Sequence, residues 1–461
     1  MKQIKYIILA AVASLTLSSC HIYKAYELPV ENAYVKEFDK SLQEAKADST
    51  TLPFLSWEQV FTDPILQTYI RTALDHNTDL DDARRNIEIA QAQLKGAKLS
   101  YFPSVTLNPN GGTAKYQDVP YHKNWTYTIP LAVSWEVDVF AKILNRKRGA
   151  KVAVEQMEDY RQAVQSQIIC GVASTYYALV LMHQQLELTE RTSEIWKDQV
   201  ESMKLMKQAG MVNEAAVVQS AANYWSIMGS IPDIRQSIRE MENTLALLLH
   251  QYPTEYEVTG NLDFDLPVSL STGVPVSYLA ARPDVRASER GLASAYYTVN
   301  SARAAFYPSL NISANGGFTN LLGSVVSNPG KWFIQLAGSL VAPIFSRGQN
   351  IANLEVAKAR QIQAMNAFEK SVLNASAEVS DYLSAYENNK AKREYLLRQI
   401  DNLEKSVEYT QELLTLDRNT TYLEVLTARS GLLSAQLSSL AAWHSKVAAL
   451  ISLYQAVGGG R

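Results

Sequence analysis

The 461-residue chain carries 43 lysines and arginines against 46 aspartates and glutamates, a formal net charge of -3. This balance excludes the basic surface that nucleic-acid binding requires. Charged residues make up 19% of the chain, below the usual quarter of a soluble protein. Two cysteines, Cys20 and Cys170, are too few for a disulfide framework.

The first nineteen residues have the features of a secretory signal peptide. Two lysines precede an apolar stretch over 6–17, which ends at Leu17-Ser-Ser-Cys20. This ending resembles the bacterial lipobox, in which the cysteine thiol receives a diacylglyceryl group. We therefore expect a mature chain that begins at Cys20 with a covalent lipid; an ordinary signal peptide with an incidental cysteine is the alternative. His21, rather than aspartate, follows the cysteine, which favours the outer membrane.

The remainder of the chain is internally duplicated. Tyr101-Phe-Pro-Ser-Val-Thr-Leu-Asn-Pro-Asn-Gly-Gly112 returns as Phe306-Tyr-Pro-Ser-Leu-Asn-Ile-Ser-Ala-Asn-Gly-Gly317, and Phe140 returns as Phe345 at the same offset (345 − 140 = 308 − 103 = 205). A constant offset of this kind indicates two structural repeats.

Each repeat is predicted to contain a helix, two short strands, a very long helix and a return helix. After a segment over 20–62, the first repeat occupies 63–250, with an initial helix over 83–100, strands near 103–113 and 125–137, a long helix over 141–208 and a return helix over 214–250. A linker over 251–280 precedes the second repeat at 281–456, with an initial helix over 283–305, strands near 308–318 and 331–342, a long helix over 347–416 and a return helix over 420–456, and a tail over 457–461 follows. Pro329-Gly-Lys331 predicts a turn between the last two strands.

The long helices exceed what a globular domain accommodates. Close to 70 residues at 1.5 Å per residue is roughly 100 Å, whereas globular helices average about 11–12 residues. Such helices need coiled-coil-like partners. No run of 18 or more apolar residues follows the signal segment, so no transmembrane helix is predicted.

The strands alternate between an apolar and a polar face. The apolar face comprises Tyr127, Ile129, Leu131, Val133 and Trp135 in the first repeat and Trp332, Ile334, Leu336 and Leu340 in the second. Aromatic residues flank the strands, as in the girdles of outer-membrane barrels; a soluble sandwich is the alternative. Four strands cannot close a barrel, and lipid does not tolerate open edges. Two copies would give eight strands with a filled interior, and three would give twelve around a lumen, which the polar face favours.

Five motifs follow one another along the mature chain. They are Trp57-Glu-Gln-Val-Phe-Thr-Asp-Pro64, Trp135-Glu-Val-Asp-Val-Phe140, Arg282-Pro-Asp-Val-Arg-Ala-Ser-Glu289, Tyr422-Leu-Glu-Val-Leu-Thr-Ala428 and Tyr454-Gln-Ala-Val-Gly-Gly-Gly460. With them the chain resembles the TolC-type outer-membrane factors, in the NodT-like lipoprotein branch that serves resistance-nodulation-division (RND) efflux systems.

The resemblance implies a mainly α-helical fold with a membrane β-barrel. A homotrimer would form a barrel of twelve strands in the outer membrane, continuous with a long periplasmic α-barrel of twelve helices. An equatorial belt would come from Glu31–Thr62, 251–280 and the C-terminus. The implied partners are a periplasmic adaptor (membrane fusion protein), an inner-membrane RND transporter and outer-membrane lipid of a Gram-negative bacterium. The implied function is a passive export duct for drugs or other small toxic compounds.

Three positions depart from the family pattern. Ala141 stands where glycine usually follows the phenylalanine, Arg418 stands at the second tip where glycine is expected, and Arg461 replaces a common terminal tryptophan. The first tip keeps its glycine, Gly210. We expect both tips to contact the adaptor, and Glu412, Asp417 and Arg418 to form a gate; the alternative is that these charges only solvate a helix turn.

The sequence contains no GxSxG, HExxH, P-loop or CxxC motif, and its six histidines lack ligand spacing. We expect no enzyme activity, no cofactor and no metal site. Three methionines lie near the first tip: Met203, Met206 and Met211. Because thioethers bind Cu(I), they are compatible with copper export, and packing in the core is the alternative explanation. A duct for type I protein secretion and a poreless coiled-coil lipoprotein are the remaining alternatives.

Overall fold

The computed structural model describes residues 23–44, 55–113, 125–260, 262, 264–265, 278–322, 325–416 and 422–460. The helices are α1 (Ala33–Glu44), α2 (Trp57–Val60), α3 (Pro64–His76), α4 (Thr78–Leu99), α5 (Lys142–Gln208), α6 (Glu214–Leu248), α7 (Tyr278–Ala281), α8 (Pro283–Ala304), α9 (Gln349–Leu416) and α10 (Tyr422–Ala456). The strands are β1 (Ser104–Leu107), β2 (Asn110–Gly112), β3 (Thr126–Val137), β4 (Ser309–Leu322) and β5 (Val325–Val341).

The chain divides into two compact units. One contains residues 85–158 and 287–369 with the N-terminal segment, and it holds the whole β-sheet. The other contains residues 30–84, 159–286 and 370–461 and is helical. Both units take residues from both sequence repeats.

The sheet is antiparallel, in the order β1-β3-β4-β5, with β2 also paired to β3. Its register pairs Ser104 with Ser134, Val137 with Leu310, and Ser309 with Val341. These residues are the first or last of their strands or lie close to the strand end. All four connections between the sheet and helices α4, α5, α8 and α9 therefore lie at one end of the sheet.

The strands of the second repeat are longer than predicted. Strand β4 continues to Leu322 and β5 begins at Val325, so Pro329-Gly-Lys331 lies inside β5, and the predicted turn was wrong. The physical reason is continued backbone pairing, since Lys331 pairs with Thr319 and the N–H of Gly330 donates to the Tyr127 hydroxyl at 3.1 Å.

The first strand of the first repeat is interrupted where a single strand was predicted. Strand β1 ends at Leu107 and β2 begins at Asn110, so the break covers Asn108 and Pro109. Proline has no backbone N–H to give to a ladder, which accounts for the break. The segment still spans the sheet, because both pieces pair with β3 and the N–H of Asn108 donates to the carbonyl of Pro130 at 3.2 Å.

The long helices contain 67 and 68 residues, about 100 Å each. Helix α9 begins two residues later than predicted because Arg347 (φ 51°) and Gly348 (φ 75°) adopt left-handed backbone conformations. Helix α6 ends at Leu248, and His250 follows with φ 53°. Helix α4 begins at Thr78, five residues before the predicted start, because the Asn77 side chain accepts hydrogen bonds from the N–H groups of Asp79 and Leu80. It ends at Leu99, one residue before the predicted end.

Aromatic and aliphatic side chains from α3, α5, α6 and α10 form the core of the helical unit. Its largest fully buried members include Tyr176, Trp443 and Tyr454. One helix of the described chain, α5, is long and apolar enough to cross a membrane by composition. Because 61% of that apolar window is buried inside the protein, packing in the core accounts for it.

Candidate channel wall, tips and motif cluster

The apolar face of the sheet is exposed in the single chain. Leu131 is 48% exposed, Ile334 69% and Leu336 76%. A contiguous apolar band of this kind indicates a surface that meets lipid or another chain. At one end of the sheet a polar side chain bonds to the neighbouring strand. The Asn320 amide accepts a hydrogen bond from the N–H of Tyr127 at 2.7 Å and donates one to the Trp125 carbonyl at 2.5 Å.

A compact turn joins β3 to α5. Both Asp138 carboxylate oxygens accept backbone N–H groups, from Ile143 at 3.0 Å and from Leu144 at 2.7 Å. Between them Ala141 is buried with φ 56°, a conformation that favours glycine. This φ explains why the motif usually has glycine here and shows that alanine is accommodated at a conformational cost of roughly 1–2 kcal/mol.

The two repeats differ at this junction. The ring of Phe140 stacks on Tyr307 with centroids 4.8 Å apart, whereas its repeat partner Phe345 is 84% exposed. The duplicated sequence therefore does not give duplicated packing, because the second junction lies at the open edge strand β5.

The first tip joins α5 to α6 through Gly210. This residue has φ 74°, and the next N–H, that of Met211, donates to the carbonyl of Met206 at 2.9 Å, which closes the end of α5. The side chain of Asn213 then accepts the N–H of Ala216 at 3.1 Å and begins α6. The glycine at this tip is thus required by the backbone geometry.

The second tip falls partly outside the described residues, which include neither Asp417 nor Arg418. Glu412 is exposed in the last turns of α9. A small core near the first tip contains Trp196, Met203 and Tyr422, and the Tyr422 hydroxyl accepts a hydrogen bond from Ser220 at 2.5 Å. The lipidation candidate Cys20 also lies outside the described residues.

The methionines near the first tip have different environments. Met203 is 1% exposed inside the small core and Met206 packs against the same core, whereas Met211 is 61% exposed. Core packing therefore explains Met203 and Met206. Cys170 is buried in the core of the helical unit, and this burial raises the pKa of its thiol to about 12, so it is an inert side chain.

Three sequence motifs meet in the helical unit, although they are far apart along the chain. Phe61 lies edge-on to Tyr454 with ring centroids 5.8 Å apart, and the Tyr454 hydroxyl donates to the carbonyl of Leu55 at 3.0 Å. The guanidinium of Arg282, 8% exposed, donates to the carbonyl of Ala456 at 2.9 Å. We call this convergence of the N-terminal, Arg282 and C-terminal motifs the motif cluster.

Buried charge in the motif cluster is fully paired. Arg282 forms ion pairs with Asp284 at 2.6 Å and Glu378 at 2.8 Å. Burial acts to lower the pKa of Arg282, but the hydrogen bonds and charges of the two carboxylates outweigh burial and raise the pKa above its ordinary value. The guanidinium therefore stays charged. Removing both carboxylates would be strongly destabilising, because the buried guanidinium charge would be left unpaired.

Asp63 begins α3 and also joins the cluster. Its carboxylate accepts the N–H groups of Ile65 and Leu66, the Tyr176 hydroxyl at 2.7 Å and the Thr259 hydroxyl at 2.6 Å. Burial raises the pKa of Asp63, yet these hydrogen bonds together hold it below its ordinary value. No sequence signal marked Tyr176, Thr259 or Glu378, because their partners lie about a hundred or more residues away.

The family model for outer membrane efflux proteins matches residues 69–250 and 274–459. The chain belongs to the outer membrane efflux protein family. The two matched ranges correspond closely to the two sequence repeats, and the predicted family and fold class are confirmed.

Individual relatives support the same family. The chain is 27% identical to the antibiotic efflux pump outer membrane protein ArpC of Pseudomonas putida, over 99% of this chain and 96% of ArpC. It is 28% identical to the probable outer membrane lipoprotein SilC of Salmonella typhimurium, over 88% of each chain. The Escherichia coli cation efflux system protein CusC is 26% identical over 97% of each chain.

The crystal structure of CusC superimposes with a TM-score of 0.82 at 26% identity, over 88% of this chain and 94% of CusC. The protein is thus an outer-membrane efflux channel protein, as predicted. In the part of the chain that the structure describes, no group of three or more histidine, cysteine, aspartate or glutamate side chains is placed to hold a metal ion.

Proposed function

We propose that three copies of this efflux protein close one barrel, and that the assembly is a passive export duct without catalytic activity. The observation that carries the proposal is the open sheet. Its outer strands β1, β2 and β5 leave unpaired backbone edges, and its apolar face is exposed. In lipid such edges must be paired, and four spans from each of three copies give a barrel of twelve strands with a lumen.

Purified protein in mild detergent tests the assembly. We expect mass photometry to give three times the mature chain mass, and planar bilayers to show stable single-channel conductance. A particle of one or two chains, or a trimer that never conducts, would contradict the proposed duct.

For the exported substrate we propose drugs or other small toxic compounds, delivered by an inner-membrane RND transporter through a periplasmic adaptor. ArpC, named for antibiotic efflux, supports this class. SilC and CusC match over similar lengths, and CusC is named for cation efflux, so copper export is a second candidate. Susceptibility of a strain that lacks the protein separates the two: sensitivity to drugs alone supports the first, and sensitivity to copper alone supports the second.

We propose that Cys20 carries the lipid anchor. Replacing the thiol with a hydroxyl in Cys20→Ser removes the acceptor for the diacylglyceryl group, so we expect loss of metabolic labelling by a radioactive fatty acid. Cys170→Ser is the matched control and should label like the wild type, because Cys170 is buried in the core. Labelling that persists in Cys20→Ser would show that the anchor lies elsewhere.

We propose that Asp417 and Arg418, with Glu412 nearby, narrow the second tip. In a trimer the carboxylates of three symmetric copies would surround one opening, and Arg418 could pair with the carboxylate of an adjacent copy. Exposed pairs contribute only about 0–1 kcal/mol each, so the expected effect is on opening rather than on folding. Arg418 at this position, and Gly210 at the other tip, would also meet the adaptor.

Single-channel conductance tests the gate. Asp417→Ala and Arg418→Ala should each raise conductance or lower the opening voltage, and high salt should reproduce the effect in the wild type by screening. Glu404→Ala, which removes an exposed carboxylate on α9 thirteen residues before Asp417, is the control and should leave conductance unchanged. Unchanged conductance in both tip variants at low salt would mean that these charges only solvate a helix turn and form no gate.

A further inference from the structure

The end of the sheet that bears the helices is strongly basic, although the chain as a whole is slightly acidic. Residues 95–99, 136–148, 300–304 and 347–350 together contain eight cations and only two acids, Glu136 and Asp138. The cations are Lys95, Lys98, Lys142, Arg146, Lys147, Arg148, Arg303 and Arg347. Both acids are engaged, Glu136 with Lys142 at 2.8 Å and Asp138 with the first turn of α5. We call the eight cations the basic collar.

Helix stability does not explain the collar cations at the starts of α5 and α9. Lys98 and Arg303 lie in the last turns of α4 and α8, where a cation is favourable with the helix dipole. Lys142 and Arg347 lie at or just before the starts of α5 and α9, where a cation opposes the helix dipole, and Arg146 follows one turn into α5. Neither helix has an acidic residue in its first turn. Lys142 already pairs with Glu136, whereas the exposed Arg146 and Arg347 point to an anionic partner outside the helices.

Aromatic side chains lie next to the collar at the same end of the sheet. The indole N–H of Trp135 donates to the carbonyl of Tyr101 at 2.9 Å, and the Lys147 ammonium lies 5.6 Å from the centre of the Tyr101 ring. The boundary between hydrocarbon and headgroups is expected to meet an apolar band first, then aromatic rings and then cations, which is the order found here. A lysine or arginine near an anionic membrane surface strengthens binding to that surface.

We propose that the basic collar binds the phosphate headgroups of anionic phospholipids in the leaflet at the helix-bearing end of the sheet. The collar would hold the channel at a fixed depth, with its apolar strands in hydrocarbon and its long helices outside. This inference rests on membrane insertion of the sheet as part of the proposed function, and it adds a lipid class and the residues that recognise it.

Native mass spectrometry of the purified full-length assembly tests the proposal. The probes are short-chain phosphatidylglycerol, which is anionic, short-chain phosphatidylcholine, which is zwitterionic, and inorganic phosphate. The test variant combines Lys98→Gln, Arg146→Gln and Arg347→Gln. The control combines Lys197→Gln, Lys392→Gln and Arg398→Gln, which removes the same charge from exposed positions on α5 and α9 more than about 60 Å along the helices.

We expect the wild type and the control to bind phosphatidylglycerol at least tenfold more tightly than phosphatidylcholine, and the test variant to lose that preference. Equal binding of the two lipids by the wild type, an equal loss in the control variant, or competition by inorganic phosphate at the same concentration as the lipid would each overturn the proposal. Conductance separates this result from the proposed duct, because the test variant should still form open channels if the lipid site alone is lost.

Discussion

Replacing Gly458 with alanine is expected to destabilise the helical unit by roughly 3 kcal/mol or more, because two costs add. Gly458 has φ 88°, and a left-handed conformation costs an alanine roughly 1–2 kcal/mol. An added Cβ would also lie 2.7 Å from the carbonyl carbon of Ala281 and 2.9 Å from the nitrogen of Arg282. The clash is with backbone, so no side chain can move aside.

The position of Gly458 makes this clash consequential. It lies two residues after Ala456, whose carbonyl accepts from the buried guanidinium of Arg282. Moving the C-terminal segment away would weaken that bond and open the site where Arg282 pairs with Glu378. We therefore expect the melting temperature, followed by circular dichroism of purified protein, to fall by roughly 5–10 °C.

Two further glycines separate the two costs. Gly229 in α6 and Gly210 at the first tip have no atom within 4 Å of an added Cβ, but only Gly210 has a positive φ. Gly229→Ala should be neutral or slightly stabilising, because alanine favours a helix over glycine by roughly 0.5–1 kcal/mol. Gly210→Ala should show the conformational cost alone. A melting temperature for Gly458→Ala no lower than that of Gly210→Ala would contradict the close packing of the C-terminal segment.

The sequence predicts the parts of this fold that depend on periodicity. Alternation in 126–137 and the constant repeat offset predict the paired strands, and the absence of proline over nearly 70 residues predicts the long helices. These features depend on residues two to four positions apart or on the duplication itself. The predicted ends of helices and strands agree less well with the structure. Arg347, His250 and Pro329 take backbone conformations that depend on the neighbouring structure.

The motif cluster marks the limit of prediction from the sequence. The resemblance identified the Arg282 and C-terminal motifs separately, but nothing in either segment indicates that Arg282 donates to Ala456. Likewise, Tyr176 lies among many similar positions of α5, and only the fold brings its hydroxyl to Asp63. Contacts between residues more than a hundred positions apart leave no local pattern, which is why the family motifs looked independent.

The sequence duplication does not predict side-chain packing where the two copies of a residue lie in different environments. Phe140 and Phe345 are equivalent in sequence, yet one stacks on Tyr307 and the other is exposed beside the edge strand. In the proposed trimer that edge would be covered by the next copy. The asymmetry of the single chain therefore follows from its incomplete sheet and not from divergence of the two repeats.

Replacing Gly317 with alanine should prevent assembly of the channel almost completely. Gly317 lies in β4, which pairs with β3 on one side and β5 on the other. It is opposite Pro130, and an added Cβ would lie 2.9 Å from both the carbonyl carbon of Ile129 and the Cα of Pro130. Because β3 could not approach β4 at this point, the pairing between the two sequence repeats would be lost.

Gly338→Ala is the matched control, since Gly338 lies in the adjacent strand β5 and no atom lies within 4 Å of its added Cβ. We expect Gly338→Ala to form the same amount of oligomer as the wild type on semi-native gels of outer-membrane fractions. We expect Gly317→Ala to form at least tenfold less, because the loss of several strand hydrogen bonds exceeds about 4 kcal/mol, well beyond an ordinary substitution. Equal oligomer in the two variants would mean that β3 and β4 pair in another register, and the apolar band would then no longer lie on one face, since a shift of one residue reverses every side chain.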